Sequence, residues 1–249
     1  MAKASILNNV FYNGAVQTSS ILLNLLLMPY ITRILGKDAL GINSFGQAIV
    51  GYFVLLGNLG ITIYGAKAIA ERRDDKNSKQ QKFAECVTYQ FFFNLIAILL
   101  YNSWVIFQGD YIYFLFNIII LTSMTDLSWA YTGMERFDLI AVRNLVIKIV
   151  GTLLIFLFVK QQEDLSLFII IQQGVLLISN VVFWFELDKL EIVPRFSSLT
   201  LSLKNIFKPA IFVFIPSIFT SLYLSLNKVM LGYLSGVDEV AIYDYPNRL

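Results

Sequence analysis

Few side chains in this 249-residue sequence are equipped to make or break bonds, and those that stand out are charges set inside apolar runs. There is no histidine, which removes the usual zinc and haem ligands, the Ser-His-Asp triad and the Cys-His pair. The single cysteine, Cys86, can form neither an internal disulfide nor a paired-cysteine site. No GxxxxGK[ST] loop is present to cradle a nucleotide. The candidates that remain are Arg33, Asp126, Arg143, Lys148 and Lys228, with the amides Asn24 and Asn58. An ionisable group at the centre of a bilayer costs about 2.5–3.5 kcal/mol or more, so each must pair, bind or reach out to water. Two readings stand for them. Arg33, Arg143 and Lys228 either snorkel to the headgroups or line a cationic vestibule for an anionic substrate. Asp126 and Lys148 either form a structural ion pair or belong to the same vestibule. No cofactor and no metal is expected.

The elements that position these residues follow from composition. Hydrophobic residues make up 57% of the chain and charged residues 14%, and mean hydropathy is +0.68. A soluble chain carries about 25% charged residues, so the expected fold is all-α, a polytopic transmembrane helix bundle. A net charge of +2 gives no reason to expect a nucleic-acid partner. A bilayer core of about 30 Å needs roughly 20 apolar residues in helix. Such runs predict seven spans at about 10–34, 40–69, 83–107, 111–132, 139–159, 165–186 and 209–234. The first run is too long for a secretory h-region and lacks a small-residue cleavage site. The run Glu71-Arg72-Arg73-Asp74-Asp75-Lys76 reads as a solvated loop. Residues 188–208 carry Phe196, Leu199, Leu201, Leu203 and Ile206, which predicts an amphipathic helix lying along the interface.

The spans carry polar stripes. Asn13, Gln17, Ser20 and Asn24 share one face of the first, and Ser44, Gln47, Gly51, Asn58 and Thr62 trace a similar stripe on the second. Gln90 and Asn94 continue it in the third, and Gln172, Gln173 and Asn180 in the sixth. Such residues serve either as hydrogen-bonding glue between helices or as the lining of a polar lumen.

Four segments resemble the oligosaccharide flippases, the Wzx-type polysaccharide exporters. They are Pro29-Tyr30-Ile31-Thr32-Arg33-Ile34-Leu35-Gly36 with Gly41; Gly57-Asn58-Leu59-Gly60 with Ala68-Ile69-Ala70; Trp129-Ala130-Tyr131-Thr132-Gly133-Met134-Glu135-Arg136-Phe137 continuing to Arg143-Asn144 and Lys148; and Ile215-Pro216-Ser217 to Lys228-Val229-Met230-Leu231-Gly232. That family often has an acidic residue before the last lysine, where this chain has Asn227. The resemblance implies two six-helix lobes related by pseudo-symmetry. An echo within the chain fits this: Leu35-Gly36 followed by Asp38-Ala39-Leu40-Gly41-Ile42-Asn43-Ser44-Phe45 is matched by Leu231-Gly232 followed by Asp238-Glu239-Val240-Ala241-Ile242-Tyr243-Asp244-Tyr245, with a four-residue insertion after the second glycine. The organisation expected is a six-helix lobe over 1–187, a cytoplasmic amphipathic linker over 188–208, and the first helix and following loop of a truncated second lobe over 209–249.

What the resemblance implies functionally is a non-enzymatic flippase in the cell (inner) membrane. Its cargo would be an oligosaccharide repeat unit on a polyprenyl pyrophosphate, moved from the cytoplasmic to the outer leaflet by alternating access, for capsule, exopolysaccharide or O-antigen assembly. The polymerase and glycosyltransferases of the same pathway would be its partners beside the lipid bilayer. The alternatives are a multidrug cation exporter of the same superfamily, which would want acidic lumen residues beyond Asp126, and an integral-membrane polysaccharide polymerase or ligase, which would want a sizeable external loop.

Orientation comes from the lysines and arginines. With the N-terminus in the cytoplasm, the outer side keeps only Arg33, Lys37, Lys160, Lys228 and Arg248 of the 19, as the positive-inside rule requires. With Cys86 replaced by alanine, a cysteine at Lys76 is therefore expected to be shielded from an impermeant thiol reagent in intact cells, while cysteines at Gln108 and Glu163 are labelled. Labelling at Lys76 from outside would reverse the topology.

Overall fold

The computed structural model describes residues 2–192 and 203–245, and for 2–22, 24, 204, 205 and 224 the backbone alone. The described residues form α1 (Ala2–Asn58), α2 (Ile61–Ala70), α3 (Lys76–Gln108), α4 (Asn117–Thr125), α5 (Ser128–Gly133), α6 (Phe137–Phe158), α7 (Leu165–Phe185), α8 (Leu203–Leu234) and α9 (Val237–Asp244), with no strand among them. Among the described residues six segments are long and apolar enough to cross a membrane: Leu25–Ala70, Lys76–Gln108, Tyr111–Gly133, Phe137–Phe158, Gln162–Phe185 and Ile206–Tyr223. The first is 46 residues long. At 1.5 Å per residue it would run about 69 Å, over twice the hydrocarbon thickness, so it holds the end of the first expected span and the whole of the second. They are separated at Gly36, whose φ of 71° and ψ of 174° are not helical. These values lie in a region essentially reserved for glycine.

The outward faces are those of a membrane protein. Phe107 is 91% exposed and Leu157 65%, surface that a water-soluble monomer would have to bury. Only 17% of the apolar window of α6 is buried.

Several helix ends differ from expectation for local reasons. The polar run after Glu71 is a loop only as far as Asp75, whose side chain accepts from the backbone N–H groups of Asn77 and Ser78 and caps α3. Lys76, Lys79 and Lys82 thus ride on the first two turns of a helix. α8 begins at Leu203, earlier than expected, and continues through Pro209 and Pro216. Of the amphipathic helix expected over 188–208, Leu187–Leu190 forms a 3-10 turn; Arg195, Phe196, Leu199 and Leu201 lie outside the described residues.

By contacts the chain divides into two units. The first comprises Met1–Gly46, Arg136–Leu176 and Lys228–Leu249, and the second Gln47–Glu135 and Leu177–Asn227. In the second unit, the Trp129–Gly133 segment acts as a wedge. Trp129 and Tyr131 are buried; Tyr131 stacks on Phe183 with ring centroids 4.0 Å apart and donates its hydroxyl to the Phe183 carbonyl at 2.8 Å. Gly133 closes the wedge on α2, since a Cβ there would lie 2.6 Å from the Ala66 carbonyl oxygen.

The span expected at 111–132 is discontinuous. A 3-10 turn, Tyr111–Phe116, leads into α4, which stops at Thr125, and α5 begins at Ser128. A break frees backbone groups that hydrocarbon cannot satisfy. Gln90 of α3 satisfies them: its amide nitrogen donates to the Ser123 carbonyl at 2.7 Å and the Asp126 carbonyl at 2.9 Å, and its oxygen accepts from the Trp129 indole at 2.8 Å. Gln90→Leu would remove one hydrogen bond from each of the three partners, leaving the Ser123 carbonyl with the backbone N–H of Asp126, at roughly 1–3 kcal/mol for a buried group left unsatisfied. The expected result is a clear drop in the thermal unfolding midpoint in detergent. Leu95→Ala, on an exposed position of the same helix, is expected to leave it nearly unchanged.

Candidate functional site

The polar site of the first unit is built by two helix starts. α1 resumes after Gly36 and α9 begins after Gly236, at φ 105° and ψ 160°. The two glycines occupy similar backbone conformations and each stands two residues before an aspartate, Asp38 and Asp238. The structural partner of Gly36 is therefore Gly236, and the echo runs at a constant offset of 200 residues without an insertion. Matching Gly36 to Gly232 was the error of the sequence reading. Gly232 lies inside α8, where a Cβ would sit 2.2 Å from the Phe45 ring.

The echoed segments cross one another. Gly41 permits the approach, because a Cβ there would lie 1.9 Å from the Val237 carbonyl oxygen. At the crossing, Ser44 meets its own counterpart in the echo: its hydroxyl donates to Asp244 Oδ2 at 2.8 Å. Asn43 donates to the Tyr245 hydroxyl at 3.3 Å, and Phe45 packs edge-on against Tyr233 with centroids 5.4 Å apart. Asn43, Ser44, Asp244 and Tyr245 are all buried. The other oxygen of Asp244 receives Lys228 Nζ at 2.6 Å; the Asp244 side chain is 4% exposed and that of Lys228 23%. A peripheral pair, Lys37 and Asp238 at 3.4 Å, closes the rim. The hydrogen bond from Lys37 holds the Asp238 carboxyl below its ordinary pKa. That pair is thus complete above the usual carboxylate range and is lost as pH falls through the lowered value.

Of the residues singled out in the sequence, Lys228 is brought into this cluster. Arg33 is exposed on α1, and Lys148 is half-buried near the middle of α6. Arg143 turns to its neighbour, with Nε and Nη2 donating to Asn144 Oδ1 at 3.4 and 3.2 Å. The side chain of Asn24 lies outside the described residues. In the second unit Asn58 and Asp126 join one network: Ser123 donates its hydroxyl to Asn58 Oδ1 at 2.9 Å, and Gln90 bridges the Ser123 and Asp126 carbonyls. Asp126 is not inside a helix as expected. It sits at the α4–α5 break, where its carboxylate accepts from the backbone N–H of Ser128 at 2.9 Å and from the Ser128 hydroxyl. The stripe residues Asn94 and Asn180 donate to the Gly57 carbonyl at 3.1 Å and the Thr122 carbonyl at 2.8 Å.

Two features were missed. Asp244 was legible only as a letter of the echo; its signal was a carboxylate in an apolar stretch where the first copy has serine. The loop at 71–75 is also less solvated than expected. Arg73 is anchored on the end of α5, with Nη2 2.9 Å from Glu135 Oε1 and 3.3 Å from the Gly133 carbonyl oxygen. Arg73 in turn holds the Glu135 carboxyl below its ordinary pKa.

Comparison with known proteins gives these features a context. Residues 6–249 match the family described as "Polysaccharide biosynthesis protein". The chain belongs to this family. Among the relatives of this polysaccharide biosynthesis protein are two named "Putative O-antigen transporter". The one from Escherichia coli (strain K12) is 25% identical over 258 residues, covering 99% of this chain and 61% of the relative. The one from Shigella dysenteriae is 22% identical over 249 residues, covering 97% of this chain and 62% of the relative. The chain thus spans about three-fifths of the length of the curated relatives it matches. No solved structure matches it significantly. Family and helices together make it a multi-pass membrane protein.

In this family member the buried pair and the rim pair should differ sharply in weight. Removing one partner of a buried ion pair costs about 3–5 kcal/mol, whereas water screens an exposed pair such as Lys37–Asp238, which contributes little. Lys228→Met is expected to destabilise strongly, with most of the loss recovered in the Lys228→Met/Asp244→Asn double variant. Asp238→Asn is expected to shift the unfolding midpoint little. Thermal unfolding of the four proteins in one detergent checks this.

Proposed function

We propose that this chain forms part of an exporter that moves a polyprenyl-pyrophosphate-linked oligosaccharide from the cytoplasmic to the outer leaflet of the inner membrane. The observation that carries the reading is the crossing of the two echoed helix starts about Ser44 and Asp244, with Lys228 as counter-ion. A repeat that meets its own copy at equivalent positions supports an exporter built from two related lobes, the parallel arrangement from which alternating access by rocking follows. Residues 1–187 then belong to the first lobe, 188–208 to the linker, and 209–249 open the second.

The chemistry of the cargo agrees with the residues available. Sugars and a pyrophosphate cannot enter hydrocarbon without replacement hydrogen bonds and counter-charge. Arg33, Arg143, Lys148 and Lys228 supply positive charge, and Asn24, Asn58 and Asp126 supply polar contacts. The names of the relatives favour O-antigen among surface polysaccharides. The protein itself breaks no bond, so net flux is drawn by an ion gradient or by the polymerase that consumes the cargo outside. The N-terminus lies in the cytoplasm.

The test is complementation of a strain lacking its O-antigen transporter, with the chain expressed alone or together with the portion of the E. coli relative it does not cover. The pair is expected to restore surface polysaccharide and to clear lipid-linked intermediates from the inner leaflet. Arg33→Ala and Lys148→Ala are expected to reduce export by tenfold or more, about 1.4 kcal/mol in the limiting step, at unchanged membrane insertion, and Arg33→Lys less. Normal export by both alanine variants would remove the cationic path, and accumulation of sugar-free lipid in place of intermediates would remove the cargo.

A further inference from the structure

At the start of α3 one charge is left over. Three cations there each hold a carboxylate: Arg72 lies 3.3 Å from Glu71, Arg73 2.9 Å from Glu135 and Lys82 2.5 Å from Glu85. Lys79 is buried at 1% exposure, and among the described residues its ammonium has no hydrogen-bond or ion-pair partner. A buried charge without a counter-charge is strongly unfavourable. The helix adds to the cost. Lys76, Lys79 and Lys82 ride on its first two turns with no acidic residue in the first, where the helix dipole favours anions. This corner therefore wants an anion at Lys79.

The geometry brings a second unused donor to the same place. Lys79 stands one turn before Phe83, whose ring lies 5.5 Å from that of Trp129 on α5. One turn past Trp129, α5 ends at Gly133, and the Gly133 carbonyl accepts from Arg73 Nη2 at 3.3 Å. Helical side chains lean toward the N-terminus, so Lys79 leans toward the 71–75 loop that carries Arg73. The Arg73 Nε is buried and has no hydrogen-bond partner among the described residues. Nε and Nη2 form one edge of the guanidinium, the fork that takes two oxygens of a carboxylate or phosphate. Glu135 lies against Nη2, which leaves Nε for another oxygen. The Arg73 side chain is 36% exposed and that of Glu135 65%, so a ligand enters on the Arg73 side and Glu135 yields to it by turning to water.

We propose that Arg73 and Lys79 form a binding site for a phosphate group, lipid-borne or free, in which the Arg73 fork takes its oxygens and Lys79 supplies the counter-charge. A phosphate has oxygens enough for both donors at once. The spans Leu25–Ala70 and Tyr111–Gly133 both end here, at the depth where headgroup phosphates lie. The site belongs to the second unit and uses none of Arg33, Arg143, Lys148 and Lys228, so it stands whatever the cargo.

The test is thermal unfolding of the chain in an uncharged detergent at fixed ionic strength, with phosphatidylglycerol in the micelles or inorganic phosphate in solution as probe. Binding is expected to raise the unfolding midpoint by about 5 °C or more at roughly hundredfold excess over Kd; diacylglycerol, which lacks the phosphate, leaves it unchanged. Response to both probes assigns recognition to the phosphate alone. Response to phosphatidylglycerol only assigns it to a lipid headgroup, and response to inorganic phosphate only to the free ion. Lys79→Met removes the unpaired charge at similar volume, so it is expected to raise the midpoint of the ligand-free protein and to abolish the response. Arg73→Lys keeps the charge without the fork and is expected to weaken the response. Lys76→Met, at an exposed position of the same turn, keeps it in full. The proposal is overturned if neither probe raises the parent midpoint or if Lys79→Met responds like the parent. It is also overturned if Lys79→Met unfolds below the ligand-free parent, which would make Lys79 a counter-charge to the ends of α2 and α5. No step involves transport, so failed complementation bears on the cargo and leaves this site standing.

Discussion

Every polar group that enters hydrocarbon must be answered by another polar group of the protein, and most of this structure follows from that requirement. Several of the described buried side-chain donors turn to backbone carbonyls on neighbouring segments. Tyr101 donates to the Tyr113 carbonyl at 2.7 Å, beside the 3-10 turn, and Trp184 to the Thr125 carbonyl at 2.9 Å, at the last residue of α4. With Gln90 and Asn180 they cover the carbonyls that the irregular segment 111–133 leaves open. The discontinuity is possible because the neighbouring helices α3 and α7 carry amide and indole donors at the right heights.

The same requirement is stricter for charge. The loop pairs, such as Lys67 with Glu71 and Lys189 with Glu186, have exposed or half-exposed side chains, and water screens them. Lys228 and Asp244, 2.6 Å apart, are less exposed, the carboxylate almost wholly buried, so water screens them less. A buried pair adds little stability over an apolar substitute. Its presence at a crossing already packed by Gly41, Phe45 and Gly232 therefore points to a role other than holding the helices together.

The spans were legible because hydropathy over about 20 residues averages out local detail. A helix boundary was legible where a glycine marked it, as at Gly36, but not at Asp75, whose cap starts α3 well before the expected span. The stripe on Gln90, Asn94 and Asn180 was legible as polar, but its partners were not, since they are backbone carbonyls that carry no side-chain signal. Asp126 was misplaced for a related reason: nothing in its apolar surroundings announces a helix break, and the residue that stabilises the break, Gln90, lies on another helix. The lysine at 228 stood out as a charge in an apolar run. Its partner did not, because Asp244 follows the span and pairing it with Ser44 requires the echo to be aligned without a gap.

That alignment turns on the two glycines. Gly36 and Gly236 end one helical stretch and launch the next in similar conformations, so the two launched segments leave with similar geometry and can cross with residue n opposite its own copy. Gly41 then brings the backbones close enough that a hydroxyl and a carboxylate meet directly at that point. At that self-opposed position serine in one copy and aspartate in the other place a charge on the crossing. Backbone geometry from the glycines fixes where the contact lies; the aspartate and Lys228 decide that it is ionic.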